Sequence, residues 1–160
     1  MPVFGKTLSE YIQFLKPILV LILIVGLARL FLSLAGAPNS TVKWLSLTVV
    51  TLLGALYCAI RVHTSGFGSY QQLLPLLVIQ NALAHIISAV AIAIAILSGK
   101  DNIFSAPEYS GGGDGKTWTH AGAHLVLGIV VFSLVLWLAT SLILFVTKKV
   151  APARRARAAA

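Results

Sequence analysis

Asn81, His85, His120 and His124 interrupt stretches of sequence that are otherwise apolar. A polar or ionisable group in hydrocarbon is costly and marks a functional site by default. Asn81, His85 and Ser88 are spaced i, i+4, i+7, so on a helix they form one stripe. His120, His124 and Gly128 form a second stripe with the same spacing logic. Two imidazoles one turn apart are half of a transition-metal site, as in HExxH helices but without the glutamate. Asp101, Glu108 or Asp114 could complete such a site. Haem is a second chemistry, since axial histidines from two helices hold iron in bundles. His85 with His124 is the pair deep enough for it. Arg29 lies in the first apolar run, with no acidic residue in any run to neutralise it. It either binds an anionic group, pairs with a loop acid, or snorkels to lipid phosphate. The ligand-binding set is therefore Arg29, Asn81, His85 and His124, and the metal set His120 and His124. The plainer reading is that Asn81 and His85 hydrogen-bond across helices, each worth about 0.6 kcal/mol, and that no cofactor is bound.

The elements that must position these residues follow from composition. The chain has 160 residues, of which 58% are hydrophobic and 10% charged, against about 25% charged in a globular domain. Four runs are long enough to cross a bilayer: 17–36, 42–60, 73–97 and 118–146. Thr7-Leu8-Ser9-Glu10 is a capping-box pattern that starts the first helix before the membrane. Short connections at 37–41 and 63–70 make successive helices antiparallel neighbours, which predicts an all-α, up-down four-helix transmembrane bundle in one integral membrane domain, residues 1–150. Residues 98–117 form a longer, glycine-rich loop, and residues 151–160 read as a basic disordered tail.

Orientation follows from Lys and Arg. Lys6, Lys16, Arg61 and five residues of the C-terminal region (Lys148, Lys149, Arg154, Arg155, Arg157) fall on one side, against Lys43, Lys100 and Lys116 on the other. Both termini are expected in the cytoplasm, in a multi-pass protein of a bacterial inner membrane. Counted at ~1.5 Å per residue from the outer interface, Arg29 and His124 lie roughly 9 Å deep. His85 lies at about 18 Å, with Asn81 one turn further in. Thr48, Thr51 and Ser88 lie at about 8, 12 and 13 Å, so facing stripes would line an outward-opening polar funnel floored by His85. The roughly 9 Å offset between His85 and His124 is poor for two ligands of one iron.

Other signals point away from specific functions. Cys58 is the single cysteine, which excludes an intrachain disulfide and a CxxC pair. The run Ser110 to Thr117 is one glycine short of a P-loop, has no preceding strand, and carries Asp114 where phosphate would sit. Thr117 reads as an N-cap, and Ile103, Phe104 and Tyr109 as a partial lid. Asn39-Ser40-Thr41 is a glycosylation triplet in a tight turn at the membrane surface, a poor acceptor. Ala35-Gly36-Ala37 resembles a signal-peptidase site, but Arg29 and the length of the run argue against cleavage. No nucleophile–base set is present, so no enzyme class is indicated. The net charge of +8 reflects topology and contact with anionic lipid heads rather than nucleic acid. The leading expectation is a non-catalytic accessory or scaffold subunit that associates with itself or other membrane subunits. Its best contact face is the second helix, at Gly54 and Ala55. The competing expectation is a binding or transport module that holds a metal, haem or small polar solute.

Overall fold

The computed structural model describes residues 2–151, and the arginines of the basic tail lie outside that range. The described residues are helical, without a strand. Four helical stretches are long and apolar enough to cross a membrane: Leu8–Leu34, Asn39–Thr64, Tyr70–Ser98 and Trp118–Val150.

Helix α1 (Leu8–Leu34) begins where the capping box places it. The Thr7 hydroxyl accepts from the Glu10 amide at 3.3 Å, and the Glu10 carboxylate accepts from the Thr7 amide at 2.8 Å. This cap starts the helix nine residues before the expected span edge and carries it through Pro17. After α1, Gly36 turns the chain with φ +86°, in the left-handed region that glycine enters without strain. The second span is broken. A short helix α2 (Asn39–Val42) precedes α3 (Leu47–Thr64), which is capped by Ser46 accepting from the Val49 amide. Helix α4 (Tyr70–Ser98) runs 29 residues, about 43 Å at 1.5 Å per residue. It ends at Gly99 in the left-handed conformation, as an αL cap requires.

The last span begins at α5 (Trp118–Ala123), whose N-cap is Thr117, accepting from the His120 amide. It then widens into a π-helical segment, His124–Val131, before resuming as α6 (Phe132–Val150). Such segments are rare and recur at functional sites. Nothing in the periodicity of the sequence announces it.

α4 packs against all the other spans, and α3 touches α1, α4 and α6. Two apolar clusters form the interior. One gathers Ile22, Val50, Ile87, Ile92 and Ile103, the other Leu15, Cys58, Leu73, Leu77 and Leu144. Large apolar side chains such as Leu97 and Leu142 point outward, 79% and 71% exposed, as surfaces solvated by lipid would. Near the N-terminus of α1, Tyr11 donates to the Val3 carbonyl and packs on Phe67, and Lys148 donates to Ser69. At the far end of α1, the 98–117 loop folds back: Asn102 donates to the Ala91 carbonyl and the Ile103 amide to Ser33. Of the expected lid, Ile103 and Phe104 are buried, while Tyr109 stays 39% exposed.

Candidate functional site

Two adjoining cavities lie beneath that lid. The inner one, about 200 Å³, is lined by Thr48, Thr51, His85, Ser88, His124 and Phe132, with Leu47 and Ala84. The outer one, about 320 Å³, is lined by Arg29, Lys43, Ser46, Thr48, Tyr109 and His124, among others. Thr48, Ser88 and His124 border both. Of the sequence-derived ligand set, Arg29, His85 and His124 therefore come together with the threonines and serine expected beside them.

Asn81 does not reach the cavities. It is fully buried and donates to the Ser133 hydroxyl at 2.9 Å, leaving its own carbonyl oxygen without a partner. The plainer reading of a cross-helix hydrogen bond applies to Asn81. Cys58 is likewise a core residue. Gly54 and Ala55, the expected contact face of the second span, are buried inside the chain. A Cβ at Gly54 would meet Gln80 and Ile18. That face is correspondingly closed to a partner.

The three histidines stand in a row. The His120 and His124 rings are 5.1 Å apart between centroids, and those of His124 and His85 are 5.2 Å apart. The facing Nδ1 atoms of His85 and His124 are separated by 2.9 Å, a hydrogen bond in which one nitrogen donates and the other accepts. The expected 9 Å offset between this pair is thus overturned. Two local features bring the rings together. Gly128 presents no side chain where the His85 ring lies, and a Cβ there would collide with it. The π segment starts at His124 and re-aims the turn that carries it.

This geometry bears on both cofactor readings. Two axial nitrogens on one iron stand about two ~2.0 Å bonds apart, roughly 4 Å. As placed, the facing Nδ1 atoms lie closer together than two ligands of one metal ion would, and they bond to each other instead. His120 Nδ1 faces the Gly115 carbonyl at 2.9 Å, so Nδ1–H is the donor and Nε2 carries the lone pair in the neutral ring. Among the described residues, no three His, Cys, Asp or Glu side chains converge as a metal shell. His120 and His124 thus share a face as expected, without acidic ligands gathered around them.

Arg29 is held without a carboxylate. Its Nη1 donates to the Leu45 carbonyl at 2.9 Å, and its guanidinium lies 5.1 Å from the Phe104 ring and 5.9 Å from Tyr109. Its Nε is buried and unpartnered. The loop acids are engaged elsewhere. Glu108 accepts from the Asn39 side chain at 2.8 Å, a bond that holds its carboxyl below the usual carboxylate range. Asp101 pairs with Lys116 at 3.0 Å.

Residues that sequence reasoning did not single out complete the arrangement. Gln80, fully buried, donates to the Thr51 carbonyl at 2.9 Å and ties α4 to α3 behind the inner cavity. Its position inside an apolar run was the available signal. Lys43 and Ser46 enter through the break between α2 and α3, which apolarity alone does not reveal.

No protein-family model, curated protein or solved structure matches this chain.

Proposed function

We propose that this protein is an up-down-up-down four-helix bundle of the cytoplasmic membrane, with both termini inside and the 98–117 loop outside. Its function is to bind or pass a small polar solute through an outward-facing cavity. The excess of Lys and Arg at the N-terminus, in the 63–70 turn and near the C-terminus supports the orientation.

One observation carries the functional reading. Arg29, Thr48, Ser88, His124 and His85 line two adjoining cavities within helices that are otherwise apolar. His85 and His124 meet each other, as polar groups that hold helices together do, but among the described residues Arg29, Thr48 and Ser88 line the cavities without a side-chain hydrogen-bond partner.

An accessory or scaffold role, within a homo-oligomer or a larger membrane complex, is supported by a separate feature. An apolar groove of about 490 Å³ runs between α4 and α5, lined by Ala89, Ala93, Ala121 and Gly122 among larger residues. Small residues of this kind let a partner helix approach closely.

The test is thiol accessibility. In a Cys58→Ala background, Thr48→Cys and Leu142→Cys are labelled in intact cells with a membrane-impermeant reagent. The cavity reading expects Thr48→Cys to react from outside and Leu142→Cys to stay unlabelled. Labelling of Thr48→Cys only after the cytoplasmic face is exposed would reverse the orientation. No labelling from either side would leave the scaffold role.

A further inference from the structure

We infer that the outer cavity is a site for a small oxyanion, a carboxylate or inorganic phosphate taken from the aqueous phase, with Arg29 as its principal cation. This rests on the outward-facing cavity proposed above and names the chemical class of its occupant.

The charge balance makes the argument. Arg29 and Lys43 line the cavity and no carboxylate does. The chain has four acidic residues, and each is already engaged. Glu10 pairs with Lys6 far from the cavity, Asp101 pairs with Lys116, Glu108 accepts from Asn39, and Asp114 accepts from the Lys116 amide. A guanidinium withdrawn from water needs an anion or a full set of acceptors. Arg29, half-buried, has one carbonyl and two ring faces as its partners and no anion.

The remaining donors suit the same occupant. Guanidinium forks match planar carboxylate and phosphate edges. Ser46 accepts from the Val49 amide through its oxygen, which leaves its hydroxyl hydrogen free to donate. Thr48, two residues on, lines the same cavity.

A lipid headgroup offers the same phosphate chemistry. The lid argues for a soluble source. Phe104 and Tyr109 sit over the guanidinium, and the Asn102–Ala91 and Ile103–Ser33 hydrogen bonds hold that segment down, so Arg29 is roofed by its own chain.

The experiment measures equilibrium binding of radiolabelled inorganic phosphate and acetate to the full chain in zwitterionic nanodiscs at fixed ionic strength. At least one oxyanion is expected to bind saturably at about one per chain. Arg29→Gln should weaken it tenfold or more and Arg29→Lys less, since charge survives but the fork is lost. Lys149→Gln, remote from the cavity, should leave binding unchanged. If Arg29→Gln does not fold, Lys43→Gln replaces it, with a severalfold loss expected. Absence of oxyanion binding, with Thr48→Cys still labelled from outside, overturns the anion assignment and leaves the cavity reading standing. Absence of both binding and labelling overturns the two together. Native mass spectrometry in anionic nanodiscs supplies the last arm. One retained phospholipid per chain, abolished by Arg29→Gln and unaccompanied by free-anion binding, would assign Arg29 to a headgroup and overturn the proposal.

Discussion

Replacing Gly128 by alanine puts a methyl group where the His85 ring now lies. The ring is the group that must give, and moving it breaks the 2.9 Å bond to His124. Overpacking of this kind costs about 1–3 kcal/mol, and the lost hydrogen bond about 1 kcal/mol more. Alanine recovers about 1 kcal/mol of helix propensity relative to glycine. The net expectation is a destabilisation of about 2 kcal/mol. Gly122 provides the internal control. It lies in the same span, and a Cβ there meets nothing within 4 Å, so Gly122→Ala should be neutral or stabilising by up to about 1 kcal/mol. Reversible unfolding in mixed micelles, followed by circular dichroism, gives both values. A cycle with His85→Ala isolates the contact: with the ring gone, Gly128→Ala should recover at least about 1 kcal/mol. Equal behaviour of Gly128→Ala and Gly122→Ala, or an unchanged Gly128→Ala penalty in the His85→Ala background, would refute the fit of His85 against the π segment.

Further expectations follow from other contacts. Ser133→Ala strands the Asn81 side-chain amide as well as its already unpartnered oxygen, whereas Asn81→Leu removes both. The same unfolding assay should therefore find Ser133→Ala the more destabilising, by about 0.5–1.5 kcal/mol. The Asn39–Glu108 bond lowers the carboxyl's pKa in the folded protein. Its contribution is complete above the ordinary value of 4.5 and is lost as pH falls through the lowered one. Proteolysis of the 98–117 loop should thus be steady above the ordinary carboxyl value of 4.5 and rise as the pH falls below it, with Glu108→Gln removing the rise. Protein purified in mild detergent should show no Soret band, because the His85–His124 pair shares a hydrogen instead of flanking an iron. A Soret band that disappears in His85→Leu would refute that geometry.

The four apolar helices were legible because lipid demands long uninterrupted apolar runs, and the caps at Thr7 and Thr117 because capping chemistry is local. The gathering of Thr48, Ser88 and His124 was legible from helical stripes, and that of Arg29 from its depth in the first span. Three features were not, and each depends on a non-local fact. The meeting of His85 with His124 depends on how far one helix is slid along its neighbour, which span edges fix only to within a turn. It also depends on the π segment, whose cause is packing rather than composition. Gly54 and Ala55 looked like an interface because small residues sit at helix contacts, but the sequence does not say whose helix fills the space. Here it is the chain's own Gln80 and Ile18.

The π segment also means that the last span has two phases. A wide turn is an α-helix carrying a supernumerary residue, so the stretches before and after His124–Val131 are set independently. The first is phased by Thr117 and the Gly115–His120 contact, and the second by Ser133 against Asn81 and Trp137 against the Tyr70 carbonyl. One residue is about 100° of helix rotation. Deleting a residue here would consequently act as a phase error rather than a shortening: one half of the span could keep its partners only by turning the other half's polar groups into lipid. The segment decouples the histidine row from the rest of the span.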